Sequence, residues 1–390
     1  MKEWQWTIEL SAPFHYEQGG ICVDYNGTAI TVEAFFTFSE KPLTLSAEGS
    51  GTAVFVYRPY RIELWLNGEL IDEEWQAGEA GFTADSMPFA VSEAPAKKEQ
   101  PAVVGKIEGS VEGWRPEGKV FVGDCMPYAD GGRYHVLWLK DRRHHKSKWG
   151  LGAHQWEHMS TADFAHWDVH PIAVEITEPW EGSICTGSFL AAGEKQYLYY
   201  TVRMYDRSPA PISRSVSTDG VHFVKDTAFR LKLSDRYHGP SARDPKIVRI
   251  ADGWHMFVTT TDLPTGRGAL AHLVSADGEN WRETEPIYLV SDNRQPECPD
   301  FFFFKGYYYL IFSLKGQAHY LRSREFLTQW EGEGTPIPCG RVPKGAIYGD
   351  RLIFTGFTAI EGYAGTMTMC EADADESGAL SFKPFVWGKE

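Results

Sequence analysis

The 390-residue chain has little of the chemistry that marks several large protein classes. No uninterrupted apolar run approaches the roughly 18 residues that a membrane-spanning helix needs, so no transmembrane helix is predicted. Basic residues are also in the minority: 38 Lys and Arg stand against 53 Asp and Glu, which gives a net charge of −15. Because nucleic acids and anionic membranes bind proteins through basic patches, neither is expected as a partner.

Cysteine is sparse and scattered. Six cysteines occur in the chain, and none forms a C-x-x-C pair. Free thiols in a reducing compartment are therefore expected, and a disulfide framework is not. The opening segment MKEWQWTIELSAPFHYEQGG lacks the continuous apolar stretch of a secretory signal. The sequence thus predicts a cytoplasmic protein and gives no indication of its oligomeric state.

Helical periodicity is almost absent, and short strand-like runs take its place. ITVEAFFTF, RIELWL, YHVLWLK and YYYLIFSL are typical of these runs, which Gly, Asp and Asn separate. They predict an all-β fold. Residues 92–105, which begin with SEAPAKKEQPA, lack an apolar pattern and are predicted to form a linker. Residues 1–91 suffice for a β-sandwich, in which Asn67-Gly68 predicts a tight hairpin.

A repeated motif follows the linker. It contains a serine, a nearby acidic residue and then an aromatic residue, and each copy follows a strand-like run. The copies STADFAHW, STDGVHF, SADGENW and SREFLTQW begin at Ser160, Ser217, Ser275 and Ser323. Their spacing of about 50 to 60 residues is that of a four-stranded propeller blade, and a degenerate fifth copy begins at Cys370. Residues 106–390 are therefore predicted to form a five-bladed β-propeller.

Three acidic residues keep the rhythm of the predicted blades. Asp124, Asp244 and Glu297 each stand just ahead of an apolar strand run, at separations of 120 and 53 residues. These separations correspond to two blades and one blade. Because the innermost strand of each blade lines the central channel, the three carboxyl groups are expected to converge there. Such a trio can cleave a glycosidic bond: one acid attacks or activates water, one protonates the leaving group, and one stabilises charge on the sugar ring.

The motifs around these acids resemble those of glycoside hydrolase family 32, the β-fructofuranosidases, invertases and levanases. Arg243-Asp244-Pro245 is similar to the family's RDP motif, and Glu297-Cys298 is similar to its EC motif. GRG at 266–268, GSICTGSF around Ser188 and KWGLGAHQWEHMSTADFAHW around Trp156 also resemble family segments. The resemblance extends from about residue 115 to residue 390.

The resemblance implies a retaining, exo-acting furanosidase that acts on an oligosaccharide or a small glycoside and needs no cofactor or metal. Asp124 would be the nucleophile, Glu297 the general acid/base, and Asp244 would stabilise the transition state through sugar hydroxyls. Arg243 would hold a carboxylate or the sugar. Retention requires the Asp124 and Glu297 carboxyl groups to lie about 5 to 5.5 Å apart. Further candidates for substrate contact are Trp156, Ser188 and Cys298.

Two features depart from the family pattern. Where the family reads W-M-N-D-P-N-G, residues 121–127 read FVGDCMP, so the aspartate remains and both sugar-contacting asparagines are missing. Specificity for fructose is therefore open, even if the catalytic acids are present. Lys140, in WLKDRRHH, could supply new contacts to the substrate, or this segment could be a solvated loop. The β-sandwich also precedes the propeller instead of following it, either as a packing partner or as a sugar-binding module.

HQWEH at 154–158 fits a zinc-protease pattern in which a helix brings two histidines to one face. Gly150 and Gly152 precede this segment and a predicted blade turn follows it, so a strand is expected instead. A zinc site formed by His154 and His158 is therefore not predicted.

Two other functions stay open from the sequence. One is an inverting arabinofuranosidase or xylosidase of the same five-bladed superfamily, in which Asp124 would act as a base. The Glu-Cys pair after RDP disfavours it. The other is a sugar-binding propeller without catalytic activity, and the presence of all three acids disfavours that.

Overall fold

Strands make up nearly all of the regular structure, as the sequence predicts. The computed structural model describes residues 3–37, 42–75, 78–96, 99–142, 154–204, 208–209, 211–251, 253–328 and 330–386. In these ranges the only helices are single 3-10 turns at Ala84–Ser86 and Gly239–Ser241. No helix in the described part of the chain is long and apolar enough to cross a membrane. The chain divides into two compact units.

The first unit contains residues from positions 1–99 and the segment Ile176–Gly182. Its strands are β1 (Trp4–Leu10), β2 (Phe14–Gln18), β3 (Ile21–Tyr25), β4 (Ala29–Ala34), β5 (Leu43–Glu48), β6 (Gly51–Arg58), β7 (Arg61–Leu66), β8 (Glu69–Glu74) and β9 (Ala90–Glu93). They form a five-stranded sheet in the order β8-β7-β6-β1-β9 and a four-stranded sheet in the order β2-β3-β4-β5.

Alternate residues of both sheets face one apolar core. Trp6 on β1 packs on Phe55 of β6 with ring centroids 5.1 Å apart, and Val23 of the other sheet belongs to the same buried cluster. The hairpin between β7 and β8 turns at Asn67 and Gly68, whose φ angles of 51° and 87° match a two-residue type I′ turn. The predicted β-sandwich and its hairpin are therefore confirmed.

The ends of the predicted linker are paired strand residues. Ser92 and Glu93 pair with Gln5 and Trp4 of β1, because β9 continues to Glu93. At the other end, the next strand begins at Gly105, the last residue of the predicted linker. Backbone hydrogen bonds hold both ends in sheets, and residue composition, from which the linker is predicted, does not show such pairing. The remaining domain boundaries, and a sugar-binding role for the sandwich, stay predictions.

The second unit contains residues from 100–145, 154–175 and 183–390. Its strands are β10 (Gly105–Glu108), β11 (Phe121–Asp130), β12 (Arg133–Asp141), β13 (Gln155–Thr161), β14 (His166–Val174), β15 (Glu181–Ala192), β16 (Lys195–Met204), β17 (Ile212–Ser217), β18 (Val224–Lys225), β19 (Arg243–Ile250), β20 (Gly253–Asp262), β21 (Arg267–Ser275), β22 (Arg282–Glu283), β23 (Tyr288–Leu289), β24 (Glu297–Phe304), β25 (Tyr307–Leu314), β26 (Gln317–Ser323), β27 (Glu331–Pro336), β28 (Arg341–Tyr348), β29 (Arg351–Ala359), β30 (Gly365–Ala374) and β31 (Leu380–Pro384).

These strands form five consecutive groups of four, here called blades I to V. The blades are β11–β14, β15–β18, β19–β22, β24–β27 and β28–β31, and β10 and β23 add to blades I and III. Val122 of β11 pairs with Gly365 of β30, which joins blade I to blade V. Just before β11, Gly113 N and Trp114 O also bond Met367 of β30, at 2.9 and 2.8 Å. The predicted five-bladed propeller is confirmed.

The repeated motif forms the turn between the third and fourth strands of a blade. In blade III, Ser275 Oγ accepts hydrogen bonds from the backbone N–H groups of Asp277 and Gly278 at 3.2 and 2.9 Å. In blade I the equivalent hydroxyl belongs to Thr161, which accepts from the backbone N–H group of Phe164 at 2.8 Å. The copy that the sequence places at Ser160 is therefore shifted by one residue, because β13 continues to Thr161.

A β-bulge interrupts the innermost strand of four blades at the same place. The pairing register shifts between residues 122 and 125, 243 and 246, 297 and 300, and 341 and 344. In blades III to V the second bulge residue has a left-handed backbone, with φ of 56° at Asp244, 51° at Cys298 and 41° at Val342. A proline follows each of them. Proline has no N–H to donate, so it fits where a residue leaves the ladder.

Charged side chains just after these prolines connect the blades beneath the bulges. Lys246 Nζ lies 2.5 Å from Asp300 Oδ1, and Asp300 Oδ2 accepts a hydrogen bond from Gly345 N at 2.8 Å. Lys344 Nζ donates to Gly187 O at 2.9 Å. Burial lowers the pKa of Lys344, against the opposing effect of nearby thiol and carboxyl groups. Blades II to V are thereby joined by buried polar contacts.

We expect Asp300→Ala to lower the free energy of unfolding by about 3–5 kcal/mol, because it leaves the Lys246 ammonium group, whose side chain is only 16% exposed, and the buried Gly345 N–H without their acceptor. Urea denaturation followed by tryptophan fluorescence measures the change. Asp373→Ala removes an exposed ion pair with Lys305 and should cost less than about 1 kcal/mol. Equal losses of stability in the two variants would contradict the stabilising role of the Asp300 contacts between blades.

Candidate active site

The three predicted acids stand on the innermost strands of three blades. Asp124 lies on β11 of blade I, Asp244 on β19 of blade III and Glu297 on β24 of blade IV. Asp124 and Asp244 are buried, at 9% and 3% exposure, whereas the Glu297 side chain is 29% exposed. The predicted convergence on the channel therefore has a depth order, with Glu297 nearest to solvent.

Two hydroxyl groups hold the Asp124 carboxylate. Thr186 Oγ1, on β15 of blade II, donates to Oδ2 at 2.5 Å. Tyr363 Oη, in the loop between β29 and β30 of blade V, donates to Oδ1 at 2.9 Å. Burial, with a contribution from the adjacent Asp124, raises the pKa of Tyr363 well above its ordinary value, so its phenol is a neutral donor. One donor on each oxygen fixes the plane of the carboxylate.

Cys298 lies between Asp124 and Asp244. Its backbone N–H donates to Asp244 Oδ2 at 3.0 Å, and its Sγ lies 3.4 Å from Asp124 Oδ2 and 3.7 Å from Asp244 Oδ2. Burial, followed by the charges of the two aspartates, raises the pKa of the Cys298 thiol well above its ordinary value. The residue is therefore a neutral S–H donor between two acids, not a thiolate.

Arg243 joins Asp244 to Glu297. Nη2 donates to Glu297 Oε1 at 2.9 Å, and Nε lies 3.5 Å from Asp244 Oδ2. Nη1 donates to Gln295 Oε1 at 2.6 Å and to Ser241 O at 2.9 Å. Burial acts to lower the pKa of Arg243, but the two carboxylates outweigh it and the pKa is raised. The guanidinium group thus remains charged and fixed on four acceptors.

The environment of Asp244 acts in both directions. Burial raises the pKa of its carboxyl, and the neighbouring Asp124 and Glu297 raise it further. The Arg243 guanidinium and the Cys298 N–H oppose this shift, and the pKa remains above its ordinary value. The main cause is burial, since Asp244 is the most strongly buried residue in the continuous chain of contacts from Asp124 to Glu297.

Trp156 and Ser188 are both predicted to contact substrate, but both are buried and hydrogen-bonded to the protein backbone. Trp156 is fully buried, and its Nε1 donates to Cys185 O at 3.0 Å. Ser188 Oγ donates to Pro245 O at 2.8 Å and accepts from Ile247 N at 2.9 Å. Neither side chain has surface for a substrate, so the assignment is corrected for both. Ser188 positions the strand that carries Asp244, because it bonds the backbone one and three residues beyond Asp244.

Lys140 belongs to a strand and not to a solvated loop, because β12 continues to Asp141. Its side chain is 13% exposed and its Nζ lies 3.2 Å from Glu157 Oε1. Asp141 is fully buried, and its Oδ2 lies 3.1 Å from His154 Nε2. The loop interpretation is therefore wrong for this part of the segment, since the ladder to β13 orders it. Residues 143–153 lie outside the described residues.

HQWEH is a strand segment, as expected. His154 precedes β13 and contacts Asp141, whereas His158 Nε2 lies 3.0 Å from His135 Nδ1. The two rings of the motif thus have different neighbours, and no helix brings them together. Gly150 and Gly152, on which the expectation rested, lie outside the described residues.

Sequence reasoning missed Thr186 and Tyr363. Thr186 stands two residues before Ser188 in GSICTGSF, so the signal for it is this motif, which contains more than one hydroxyl. Tyr363 is 239 residues from Asp124 and has no local signal. A Cβ atom at Gly123 would lie 2.8 Å from Tyr363 Oη and 3.1 Å from Leu139 Cβ. The absence of a side chain at position 123 therefore makes room for the phenol beside Asp124.

Comparison with known proteins gives the context for this geometry. The model of the N-terminal domain of glycosyl hydrolases family 32 matches residues 125–336. Sucrose-6-phosphate hydrolase of Escherichia coli is 27% identical over 196 residues, which cover 46% of this chain and 40% of that protein. The chain thus matches less than half the length of this curated relative.

Two solved structures share the fold. Sucrose-6-phosphate hydrolase from Lactobacillus gasseri has a TM-score of 0.59 at 17% identity and covers 67% of this chain and 61% of its own. Fructan 1-exohydrolase IIa from Cichorium intybus has a TM-score of 0.60 at 15% identity, with coverages of 71% and 60%. The family model spans more than half of the sequence, from within β11 of blade I, just after Asp124, to the end of blade IV, and the chain therefore belongs to glycosyl hydrolases family 32.

Proposed function

We propose that this protein is a retaining exo-furanosidase that releases terminal β-fructofuranosyl units. The observation that carries the proposal is the continuous set of contacts from Asp124 through Cys298 and Asp244 to Arg243 and Glu297. It brings three carboxyl groups from three blades into one site, which is the equipment for glycosidic cleavage. Membership of family 32 supports the substrate class, as does a relative that is named for hydrolysis of sucrose 6-phosphate.

Asp124 is the nucleophile in this proposal. The Thr186 and Tyr363 hydroxyls donate one hydrogen bond to each of its oxygens, which stabilises the carboxylate and orients its free lone pairs. An oxygen of Asp124 forms a bond to the anomeric carbon as the bond to the leaving oxygen breaks. This step needs a carboxylate in a fixed position, and the two hydroxyl groups hold Asp124 in place.

Glu297 is the general acid/base. It transfers its proton to the leaving oxygen in the first step, and in the second step it takes a proton from the water that attacks the anomeric carbon. Arg243 holds one of its oxygens at 2.9 Å, which directs the other toward the reacting centre. The separation of about 5 to 5.5 Å from Asp124 that retention requires stays a prediction.

The depth order of the acids supports exo action. Asp124 and Asp244 are buried and Glu297 is partly exposed, so the sugar ring would enter first and the leaving group would face solvent. Entry in this order would select a terminal unit. Asp244 and Arg243 would bind the hydroxyl groups of that unit from the deep side.

The residues that would contact the sugar differ from the family pattern at position 123. Position 123 offers no side chain, and the Tyr363 phenol occupies the space beside Asp124. The phenol would contact the sugar where the family's first asparagine does. A fructosyl unit is the proposed glycone, and Tyr363 is the residue through which another furanoside would be selected.

A cytoplasmic location is part of the proposal. All six cysteines are free thiols, and Cys125, Cys298, Cys339 and Cys370 are buried. Unpaired thiols at this number are typical of proteins in a reducing compartment.

Turnover of sucrose, fructo-oligosaccharides and aryl arabinofuranosides by the wild type and two variants tests the roles. Glu297→Gln should lose about 10²–10⁴-fold on natural glycosides but keep the first step for a good leaving group, which needs no proton. Asp124→Asn should lose both kinds of substrate. Released sugars are resolved by chromatography, and NMR of the first-formed anomer reports the stereochemistry.

Inversion at the anomeric carbon would instead support the arabinofuranosidase alternative with Asp124 as base. Mild and equal losses in the two variants would contradict the assignment of roles. Wild-type protein without activity on the whole panel would contradict the proposed function itself.

Gly123 and Tyr363 should be energetically coupled. Gly123→Ala places a methyl group 2.8 Å from Tyr363 Oη, and such overpacking lowers the free energy of unfolding by about 1–3 kcal/mol. In a Tyr363→Phe background the oxygen is gone, so the same substitution should cost less. A double-mutant cycle on urea denaturation measures the coupling. An equal cost in both backgrounds would contradict the proposed steric link.

A further inference from the structure

We infer that blade I contains a structural site for a divalent transition-metal ion, of which zinc is the best fit, formed by His135, His158 and His170. The three residues lie on the adjacent strands β12, β13 and β14. One nitrogen of each ring lies within 4.8 Å of one nitrogen of each of the others, and all three side chains are buried. No residue of the site around Asp124 belongs to this set.

Blade III supplies an internal reference for this arrangement. His255 Nδ1 lies 3.0 Å from His272 Nε2, with ring centroids 5.3 Å apart. In blade I, His135 Nδ1 lies 3.0 Å from His158 Nε2, and these centroids are also 5.3 Å apart. The strand registers show that the pairs are equivalent: His135 is opposite Ser160, two residues beyond His158, and His255 is opposite Val274, two residues beyond His272.

The fourth strands distinguish the two blades. In blade III the backbone of Thr284 bonds His272 O, and Thr284 Oγ1 lies 2.8 Å from His272 Nδ1. That hydroxyl gives the second nitrogen of His272 a hydrogen-bond partner. In blade I the residue opposite His158 is His170 instead. A third imidazole thus stands where blade III has a small hydroxyl.

The hydrogen bonding of His158 is incomplete as a result. Its Nε2 has two neighbours, His135 Nδ1 at 3.0 Å and Tyr128 Oη at 3.2 Å. Its Nδ1 is fully buried and has no hydrogen-bond partner among the described residues. A buried polar atom in this state is unusual in a folded protein, and a bound ion or an ordered water would satisfy it. Blade III, which has the threonine, does not contain such an atom at His272.

A backbone carbonyl orients the third ring. His170 Nδ1 lies 2.7 Å from Ala102 O, a contact in which the nitrogen donates. The other nitrogen, Nε2, then carries the electron pair, which lies 2.7 Å from Ser160 Oγ, so a metal ion would replace that hydroxyl as its partner. A carbonyl behind a histidine is the usual support of a metal-bound imidazole.

The distances and surrounding charges fit the same ion. Two nitrogens on one zinc lie at most about 4.2 Å apart, twice the bond length of about 2.1 Å, so ring shifts below about 1 Å close the set. The nearby Arg133 is paired with Asp168 at 2.6 Å, which offsets its charge. Tyr128 stacks on His135 and on Phe189, with centroids at 4.6 and 3.7 Å, and covers the rings from water. Tyr128 also leaves a hydroxyl next to His158.

Metal analysis of the intact protein tests the inference. After removal of metals by a chelator and its subsequent removal, zinc is titrated in competition with a chromophoric chelator, and bound metal is counted by mass spectrometry. The wild type should bind one equivalent per chain, and Co²⁺ in its place should give the visible absorption of a tetrahedral site. His170→Thr, which copies Thr284 of blade III, should keep its fold by circular dichroism and bind at least about 100-fold more weakly.

Controls separate this site from other histidines. His272→Asn, in blade III, should leave the stoichiometry unchanged, and zinc should raise the melting temperature of the wild type but not of His170→Thr. Activity of His170→Thr should equal that of the wild type, since no catalytic residue is touched. Wild-type protein that binds no stoichiometric metal, or His170→Thr that binds it equally well, would overturn the inference. Should His170→Thr fail to fold, the wild-type titration and a His135→Asn variant still decide.

Discussion

The bulge at the start of the innermost strands is the constraint on which the candidate active site depends. A regular strand would turn successive side chains to opposite faces, and acids at different positions in different blades would point apart. The bulge releases a short stretch of backbone in each blade and re-aims its side chains. Asp244 and Cys298 adopt left-handed backbones there, at a cost of order 1–3 kcal/mol each. The proline that follows and the buried contacts of Asp300 beneath hold this geometry in place.

The site also has to hold three carboxyl groups together. Arg243 places one positive charge between two of them, and it is fixed by Gln295 and the Ser241 carbonyl. Between Asp124 and Asp244 the contact is a neutral thiol, which satisfies an acceptor without adding charge. All five blades contribute to this balance, because Thr186 comes from blade II and Tyr363 from blade V. A substitution in one blade can therefore alter the hydrogen bonding of a carboxylate that belongs to another blade.

The sequence predicts the repeat well because it is periodic along the chain. Strand runs, turn motifs and the spacing of Asp124, Asp244 and Glu297 all follow one period, and the fold reproduces it. The contacts that orient these acids have no such signal: Tyr363 reaches Asp124 only after the ring closes. The bulges do have a local signal, since RDPK, ECPD and RVPK share a proline at the third position and a charged residue at the fourth.

Residues with two plausible environments were the hardest to place. Trp156 and Ser188 stand in segments that resemble family motifs, yet burial makes them part of the packing. Lys140 is charged and precedes a polar run, yet pairing with β13 holds it in a strand. His154 is four residues from His158 in the sequence, whereas the side chains that surround His158 come from β11, β12 and β14. Sequence proximity misleads in a β-fold because lateral neighbours come from distant parts of the chain.

The central claim is that Asp124 forms a covalent bond to the sugar. The most direct measurement is mass spectrometry of peptides from the Glu297→Gln variant, quenched with acid during turnover of a fructoside that has a good leaving group. The second step is slow in this variant because no base activates water, so the intermediate should accumulate. The account predicts the mass of one fructosyl unit on the peptide that contains Asp124. A label on another residue, or burst-free turnover without any label, would contradict it.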